Sequence, residues 1–422
     1  MGRPCVDAAR SPDVFEFPPV AREGSPEPID LGVVTPGWQP VIARDMRPVG
    51  FRLVLRAGET SSPAVPMADL LDGVLSGFVA DGATSFPHGL MVVAPVDLPL
   101  DDSLTAWSAP RNVLLEVHQD ELGDPARLQR LLDVQRRGVR LVLRVTDRAS
   151  IARERLPLFQ YISADAATHG PAPRETALLA LHPDSSARVT EAFESGAHAV
   201  VGWPLGEVAQ GASGVLQPVH KAVLDLIRLV QSDAENRDLE RAFRAEPVLS
   251  YMLLTLANSP AFIRTAPIAS IAQAIQLLGY QRLVKWLVLL MVVASKQAKA
   301  LPHIYTAVAR GFLMENLAGA AGFKGRERDE CFIVGVFSLL DKITGRKAPQ
   351  LFSDLPLPPA VVAALVERKG PLASYLELAL ALETAEADAV HAGADTLQLS
   401  QGVVNQALLQ ALAATDALQS VV

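Results

Sequence analysis

The 422-residue sequence has only two cysteines, Cys5 and Cys331, which excludes a disulfide framework and a four-cysteine zinc site. So few cysteines are typical of a reducing compartment. Its longest uninterrupted apolar run, residues 286–294, is about half as long as a membrane-spanning helix needs to be. No signal sequence with an apolar centre follows Met1. The sequence therefore predicts a cytoplasmic protein without a membrane segment.

Lysine is missing from the first half of the chain, since all eight lysines lie at or after Lys221. Chemistry that needs a lysine is therefore excluded there. Basic residues are also outnumbered, with 38 Lys and Arg against 46 Asp and Glu. A nucleic-acid partner is not expected, because such binding needs a basic face that displaces counterions. It would require the basic residues after position 290 to form one stripe: Lys296, Lys299, Arg310, Lys324, Arg326, Arg328, Lys342, Arg346 and Lys347.

Half of the residues are hydrophobic, and the length predicts two or three domains that each bury a core. Residues 1–37 are rich in proline and predict a disordered tail. The pattern then changes twice along the chain. We expect a first domain over residues 38–205, a linker over residues 206–220 and a second domain over residues 221–422.

The first domain alternates short β-branched or leucine-rich runs with helical patterns. The predicted strands cover residues 50–56, 89–94, 112–117, 139–145, 161–163, 176–181 and 197–202. The predicted helices cover residues 68–78, 125–137 and 185–194. This alternation predicts a parallel sheet of α/β type. Six or seven strands without G-x-G-x-x-G favour an incomplete (β/α) barrel over an open sheet.

The second domain is helical throughout, and two of its stretches, residues 253–262 and 268–279, resemble the signature of the HDOD domain. Residues 335–341 and 354–358 resemble the subfamily in which HDOD follows an EAL-like domain. The positions that carry the resemblance are Asn258, Ser259, Ser270, Ala274, Leu278, Gly279, Ser338 and Asp341. The resemblance implies an all-helical bundle similar to the HD phosphohydrolases but without their metal site.

The residues themselves agree that this half holds no HD-type metal. The dipeptide His-Asp is absent from the chain, and one carboxylate, Asp341, does not make a metal site. We interpret Asn258 as a helix-terminating residue and Asp341 as a capping or helix-face carboxylate. Trp286 and Met291 are interpreted as core residues.

The first domain is similar to the EAL domain, a (β/α) barrel phosphodiesterase of cyclic di-GMP, in residues 39–42 and 49–56. That family holds two divalent cations with carboxylates and one asparagine, beside a lysine. Here Glu116 and Asp165 remain as remnant ligands, whereas arginine stands at positions 52 and 144. Three further family positions carry Ala94, Ser163 and Val201. The implied fold is a degenerate, shortened EAL-like barrel followed by the HDOD bundle.

Arg52 and Arg144 place positive charge where the cations would lie, so the preferred interpretation pairs Glu116 and Asp165 with these arginines. His182 and His198 are interpreted as structural. No catalytic residue, metal or cofactor is therefore expected. The chain is expected not to be an enzyme.

Two functional hypotheses remain open. The first is a non-enzymatic bacterial signalling protein that acts through protein partners, within or beside cyclic di-GMP pathways. The alternative is a cyclic di-GMP receptor without turnover, in which Arg52, Arg56 and Arg144 contact phosphates. A homodimer is a further expectation, because an incomplete barrel would expose strand edges.

Overall fold

The computed structural model describes residues 31–58, 65–79, 86–146, 153–168, 176–212, 218–232, 234–258, 268, 270–293, 298–353 and 357–419. Strands occupy the first half of the chain and helices the second. The α/β barrel followed by an all-helical region, which the sequence predicts, is confirmed.

Eight strands form a closed barrel in chain order. They are β1 Val34–Ala43, β2 Pro48–Ala57, β3 Leu90–Val96, β4 Val113–His118, β5 Arg140–Val145, β6 Tyr161–Asp165, β7 Ala177–Leu181 and β8 Ala199–Val201. Neighbours from β2 to β8 run parallel, whereas β1 is antiparallel to both β2 and β8. All seven predicted strands are present as β2 to β8.

The strand that closes the barrel, β1, was assigned by the sequence partly to the disordered tail. It begins at Val34 and contains Pro36 and Pro40. These prolines argue against a strand in the sequence, because proline is unusual inside a sheet. Both prolines lie where β1 is paired with β2 alone among the strands, so a missing N–H is tolerated. The expectation of an incomplete barrel with free strand edges is therefore wrong. The argument for a homodimer from exposed edges is lost with it.

Three α-helices connect the described strands, and each lies where the sequence predicts one: α1 Met67–Gly77, α2 Pro125–Arg136 and α3 Ser186–Glu194. Asp124 caps α2 by accepting from the N–H groups of Ala126 and Arg127, and Pro125 occupies the first turn. The hydroxyl of Ser185 caps α3 by accepting from the Arg188 N–H. Only short 3₁₀ turns are described between β3 and β4 and between β5 and β6. The barrel is shortened in its helical layer.

The barrel interior is apolar at one end and polar at the other. Its apolar cluster includes Val92, Leu114 and Val142. Because alternate side chains share a face of a strand, Glu116 and Arg144 lie two residues farther along β4 and β5 on that same inner face. The polar side chains therefore gather toward the carboxyl ends of the parallel strands, which we call the barrel mouth.

The second half is a bundle built around one long buried helix. Its helices are α4 Pro218–Gln231, α5 Asn236–Arg244, α6 Pro247–Ala257, α7 Ile271–Val293, α8 Leu301–Ala320, α9 Arg326–Phe337, α10 Leu340–Thr344, α11 Ala348–Ser353, α12 Pro359–Val362, α13 Pro371–Thr384, α14 Ala387–Thr396 and α15 Gln401–Gln419. Helix α8 is buried on nearly all sides and packs against α9 and α15. A Cβ at Gly335 would lie 2.6 Å from the Gly311 Cα, so α8 and α9 approach each other closely only because both positions are glycine.

The last helices of the chain pack against the barrel. Asn405 on α15 donates to the carbonyls of Leu31 at 2.6 Å and Val34 at 2.8 Å. Asp416, also on α15, accepts from the N–H groups of His88 at 2.7 Å and Gly89 at 3.1 Å. Helix α15 thus connects the start of β1 with the segment before β3.

The described part of the predicted linker is packed rather than free. The N–H of Ala209 donates to the Lys342 carbonyl at 2.9 Å, and Ala209 is buried. The Glu207 carbonyl lies 3.1 Å from Nε2 of His303, while its carboxylate accepts from the Ser186 N–H at 3.1 Å. This segment therefore bridges α3 of the barrel and the helical half. The exact domain boundaries stay a prediction, and residues 1–30 lie outside the described residues.

No helix among the described residues is long and apolar enough to cross a membrane.

Candidate functional site at the barrel mouth

A buried ion pair joins Arg52 on β2 to Glu116 on β4. Nε of Arg52 donates to Oε2 of Glu116 at 3.0 Å, and Nη2 donates to Oε1 at 2.5 Å. Gln39 accepts a further bond from Arg52 Nη1 at 3.3 Å, and the Ser163 hydroxyl donates to Glu116 Oε2 at 3.0 Å. The two charged side chains are only 6% and 5% exposed. The pairing of Glu116 with an arginine, which the sequence analysis favoured, is present.

Strand alternation explains why both charges point inward. Phe51 and Leu53 flank Arg52 and belong to the main core outside the barrel, whereas Leu114, two residues before Glu116, belongs to the interior cluster. A charge buried alone costs several kcal/mol or shifts its protonation, so each of these groups needs its partner. The pair is therefore a fixed part of the barrel interior.

Arg144 on β5 lies beside this pair with a nitrogen that lacks a partner. Its Nη1 is buried and has no hydrogen-bond partner among the described residues. Burial lowers the pKa of Arg144; Glu116 and Asp165 act to raise that pKa, and Arg52 to lower it further. Arginine stays protonated in proteins, so the group remains a cation. A buried donor without an acceptor is costly, which makes Arg144 the outstanding polar feature of the mouth.

Asp165 and His182 face each other at the ends of β6 and β7. Asp165 Oδ2 lies 3.6 Å from His182 Nδ1, and both side chains are about half exposed at 44% and 45%. His182 has a φ of +52°, which is strained for a residue with a side chain. Burial lowers the pKa of His182; Arg52 and Arg144 lower it too, while Asp165 opposes them.

The sequence analysis interpreted His182 as structural and did not predict its contact with Asp165. The available signal was its position directly after the last apolar residue of β7, Leu181, at the carboxyl edge of the sheet. The expected pairing of Asp165 with an arginine is replaced by its contact with His182, and Asp165 also accepts from the Ala167 N–H at 3.2 Å.

Arg56, which the sequence analysis grouped with Arg52 and Arg144, lies at the carboxyl end of β2, and its described contacts are with other residues. Its Nε donates to the carbonyl of Ala385, between α13 and α14, at 3.1 Å. Its Nη1 also lies 3.5 Å from Asp97 Oδ2. Arg56 occupies the end of β2, where the strand leaves the barrel, and this position brings its guanidinium to the helical half.

The EAL resemblance implies a pair of divalent cations, and the donor set of the mouth does not fit one. Hard cations need several free oxygen ligands. Both oxygens of Glu116 are already taken by Arg52, and the guanidinium of Arg144 adds a second positive charge. In the part of the chain that the structure describes, no three His, Cys, Asp or Glu residues are grouped to hold a metal ion.

Two HDOD signature residues, Asn258 and Ser270, lie at the end of α6 and the start of α7. The Asn258 side chain donates to the carbonyls of Leu254 at 2.8 Å and Ile268 at 2.9 Å, and it accepts from the Ile268 N–H at 2.7 Å. Ser270 accepts from the Gln273 N–H at 3.2 Å at the start of α7. Asn258 thus joins the end of α6 to Ile268 in addition to ending a helix. Ser259 lies outside the described residues, as do residues 354–356.

Three other signature positions lie in α7, where they are buried or interrupt the helix. Ala274 and Leu278 are buried, and Gly279 has a φ of +71° where α7 is interrupted before it continues. Asp341 forms an ion pair with Lys342 at 3.3 Å. Trp286 is partly buried beside the core, and nothing is described for the Met291 side chain.

The remaining signature residue, Ser338, is hydrogen-bonded to a second buried ion pair. Arg310 on α8 and Glu383 on α13 are 4% and 11% exposed, with Nη2 2.7 Å from Oε2. Arg310 Nη1 donates to the Ser338 hydroxyl at 2.9 Å, and this hydroxyl donates to the Gly335 carbonyl at 2.7 Å.

The basic residues after position 290 divide among different environments. Arg310 is buried. Arg326 pairs with Glu330 at 3.0 Å, and Arg328 lies 3.5 Å from Glu315. Arg310 therefore cannot belong to an exposed basic stripe, and the carboxylates beside Arg326 and Arg328 partly neutralise those two.

Comparisons with known proteins identify a domain in the helical half and two partial relatives. A model of the HDOD domain matches residues 216–345. The protein named cyclic di-GMP phosphodiesterase CdgJ, from Vibrio cholerae, is 30% identical over 199 residues, which are 46% of this chain and 45% of that protein. The uncharacterized protein YuxH of Bacillus subtilis is 30% identical over 140 residues, 32% of this chain and 34% of that protein. The chain thus spans less than half the length of either relative.

Two solved structures are similar at a low level. One is the manganese and cy-diGMP complex of Klebsiella pneumoniae BlrP1 at pH 9.0, with a TM-score of 0.29, 13% identity and coverage of 43% of this chain and 57% of that chain. The other is Bacillus subtilis YkuI, with an EAL domain and bound c-di-GMP and calcium, with a TM-score of 0.30, 14% identity and coverage of 59% and 72%. Similarity at this level carries no argument about the chain.

The expectation that the chain is not an enzyme is wrong on this comparison, because its relative CdgJ is named a phosphodiesterase. The sequence argument inferred the loss of catalysis from the loss of metal-binding residues. That inference does not hold once a relative is named an enzyme. The recognition is confirmed in its arrangement: residues 216–345 match the HDOD domain, and they follow a closed barrel of eight strands.

Proposed function

We propose that this protein acts in cyclic di-GMP signalling and that its barrel mouth binds the dinucleotide through Arg144. The observation that carries the proposal is the buried Nη1 of Arg144, which lacks a partner among the described residues. A phosphate oxygen is the acceptor that a guanidinium fork matches best. The name of the relative CdgJ supplies the candidate ligand.

The surrounding charges support an anionic ligand at Arg144. Arg52 compensates Glu116 through two direct hydrogen bonds, so the carboxylate that lies deepest is already neutralised. Asp165 is about half exposed, and solvent therefore weakens its repulsion of a phosphate. His182, on the other side of Asp165, offers a second polar group to the ligand.

Calorimetric titration of the full chain with cyclic di-GMP tests this function. We expect saturable binding that Arg144→Gln weakens by about tenfold or more, as loss of a charge-assisted hydrogen bond predicts. Arg140→Gln is the matched control, because Arg140 lies on the same strand at its other, exposed end. Absence of binding by the wild-type chain would contradict the proposal. Chromatography of the incubated nucleotide in the same samples measures hydrolysis directly.

A protein partner for the helical half is the second candidate function. Tyr251 on α6 is 72% exposed, far more than any other large hydrophobic residue described as exposed, and the neighbouring Met252 and Leu254 are only partly buried. An exposed tyrosine beside partly exposed aliphatic side chains is typical of an interface centre.

Site-specific photo-crosslinking in cells tests this second function. A crosslinker at position 251 is expected to capture one protein that mass spectrometry identifies, whereas a crosslinker at the exposed Val208 is not. Capture of this chain itself would indicate a homodimer. Equal, diffuse labelling from both positions would remove the candidate.

A further inference from the structure

The charges at the barrel mouth also bear on how a phosphodiester is held there, and this inference rests on the proposed function. The EAL resemblance implies that divalent cations neutralise the phosphates. In this chain the positive charges described at the mouth are the guanidinium groups of Arg52 and Arg144.

Glu116 is not free to bind a cation. Each of its oxygens accepts from Arg52, and Oε2 also accepts from the Ser163 hydroxyl at 3.0 Å. Displacing the guanidinium would leave Arg52 buried without its counter-charge, which is strongly destabilising.

Arg144 stands next to this pair as a second fixed cation. Arg144 on β5 is the register partner of Ser163 on β6, and the Ser163 hydroxyl donates to Glu116, so Arg144 lies in the same cluster of side chains as the ion pair. A divalent cation in this cluster would meet two guanidinium groups, and Mg²⁺ would still need several oxygen ligands in near-octahedral geometry.

We propose that the barrel mouth binds a phosphodiester without a divalent cation, with the guanidinium of Arg144 in the place of the metal charge. Arg52 acts as a positioning residue, because it neutralises Glu116 and so prevents this carboxylate from repelling the phosphate. Ser163 and Gln39 hold the pair in place from either side.

Titration of the full chain with cyclic di-GMP in excess EDTA, and in parallel with Mg²⁺, Mn²⁺ or Ca²⁺, tests the proposal. We expect dissociation constants that agree within about threefold across all four conditions. Binding that appears only with a metal ion would overturn this inference and leave the proposed function standing. Absence of binding in every condition would overturn both.

Variants at Arg52 separate its positioning role from a direct contact. Arg52→Gln leaves the Glu116 carboxylate uncompensated, so we expect a loss of affinity of about tenfold. The double variant Arg52→Gln and Glu116→Gln removes both charges and is expected to restore affinity to within about threefold of wild type. An equal loss in the single and double variants would contradict the positioning role.

Stability is followed by thermal denaturation of each variant. If Arg144→Gln does not fold, Arg144→Lys keeps the charge and loses only the fork, and it is expected to bind with intermediate affinity. The EDTA comparison uses the wild-type chain alone and therefore decides the metal question whatever the variants do.

Discussion

Among the described residues, each half of the chain contains a buried arginine–glutamate pair, and the two pairs differ in what surrounds them. Arg310 and Glu383 join α8 to α13, and the remaining Arg310 donor reaches the Ser338 hydroxyl. Arg52 and Glu116 cross the barrel interior beside Arg144, whose Nη1 has no partner among the described residues.

The same two side-chain types therefore serve two purposes. In the helical half the pair fastens helices, and its polar atoms are satisfied within the protein. In the barrel the pair lies beside a further cation, Arg144, whose buried Nη1 has no hydrogen-bond acceptor among the described residues. A buried ion pair alone does not identify a binding site, whereas an unsatisfied buried donor beside it requires an explanation, and we propose a ligand as that explanation for Arg144.

Removal of one arginine at a time is the strongest way to break this comparison. Arg310→Met leaves Glu383 buried without a counter-charge, so we expect the free energy of unfolding in urea to fall by about 3–5 kcal/mol. For Arg52→Met we expect a similar fall in the free energy of unfolding. We also expect its affinity for cyclic di-GMP to fall by about tenfold. Arg310→Met is expected to keep that binding under conditions where the variant is folded.

The double variant Arg310→Met and Glu383→Leu is the control for these measurements. It removes both charges at once and is expected to be within about 2 kcal/mol of wild type. A single variant that costs less than about 1 kcal/mol, or a double variant as unstable as Arg310→Met, would contradict the structural role of this pair.

A change of pH sharpens the comparison through His303, a buried histidine beside the described part of the predicted linker. Burial lowers the pKa of His303 to about 4, from the usual 6.5. The unfolded chain then binds a proton at this residue between pH 6.5 and 4 that the folded chain does not. Stability is therefore lost as the pH falls through that range and is fully present above pH 6.5.

The expected loss at His303 is up to about 3 kcal/mol by pH 4, since each unit of pKa shift corresponds to about 1.4 kcal/mol. Urea denaturation of wild type and His303→Gln at a series of pH values checks it. The variant should lose stability less steeply than wild type between pH 6.5 and 4. Parallel curves would refute the assignment to His303.

The smallest expected effect concerns the break in α7. Gly279 has a φ of +71° and a ψ of +162°, a conformation that essentially only glycine adopts, and a Cβ there would meet nothing within 4 Å. Gly279→Ala is therefore expected to cost about 1–3 kcal/mol from backbone strain alone.

Gly206→Ala is the matched control for this variant, because its Cβ would also meet nothing within 4 Å and its φ lies outside the left-handed region. We expect the control to change stability by less than about 0.5 kcal/mol in the same thermal and urea measurements. Equal effects from the two substitutions would show that backbone strain at Gly279 is not the cause.

Local patterns predicted much of the fold. Alternating runs located seven of the eight strands, and the helical pattern over residues 125–137 located α2. The strand β1 was missed in part because Pro36 argued against it, and only its pairing with β2 overrides that local signal. Composition marked residues 206–220 as a linker but did not reveal that Ala209 is packed against the helical half, because that is a tertiary contact.

The candidate site was predicted only where strand register and charge were sufficient. The pairing of Glu116 with an arginine was expected from the EAL resemblance and opposite charge, and strand alternation explains why both side chains point inward. The contact of His182 with Asp165 was not predicted, because the turn after β7 that brings them together is a three-dimensional feature. The hydrogen bond from Arg56 to the Ala385 carbonyl was not predicted either, because it joins residues far apart in the sequence.

The central claim is that Arg144 makes the barrel mouth a metal-independent phosphodiester site. Calorimetric titration of the wild-type chain and Arg144→Gln with cyclic di-GMP in EDTA tests it most directly. The account predicts binding by wild type in EDTA and a loss of about tenfold or more in Arg144→Gln. Binding that requires a divalent cation, or that is unchanged in Arg144→Gln, would contradict it.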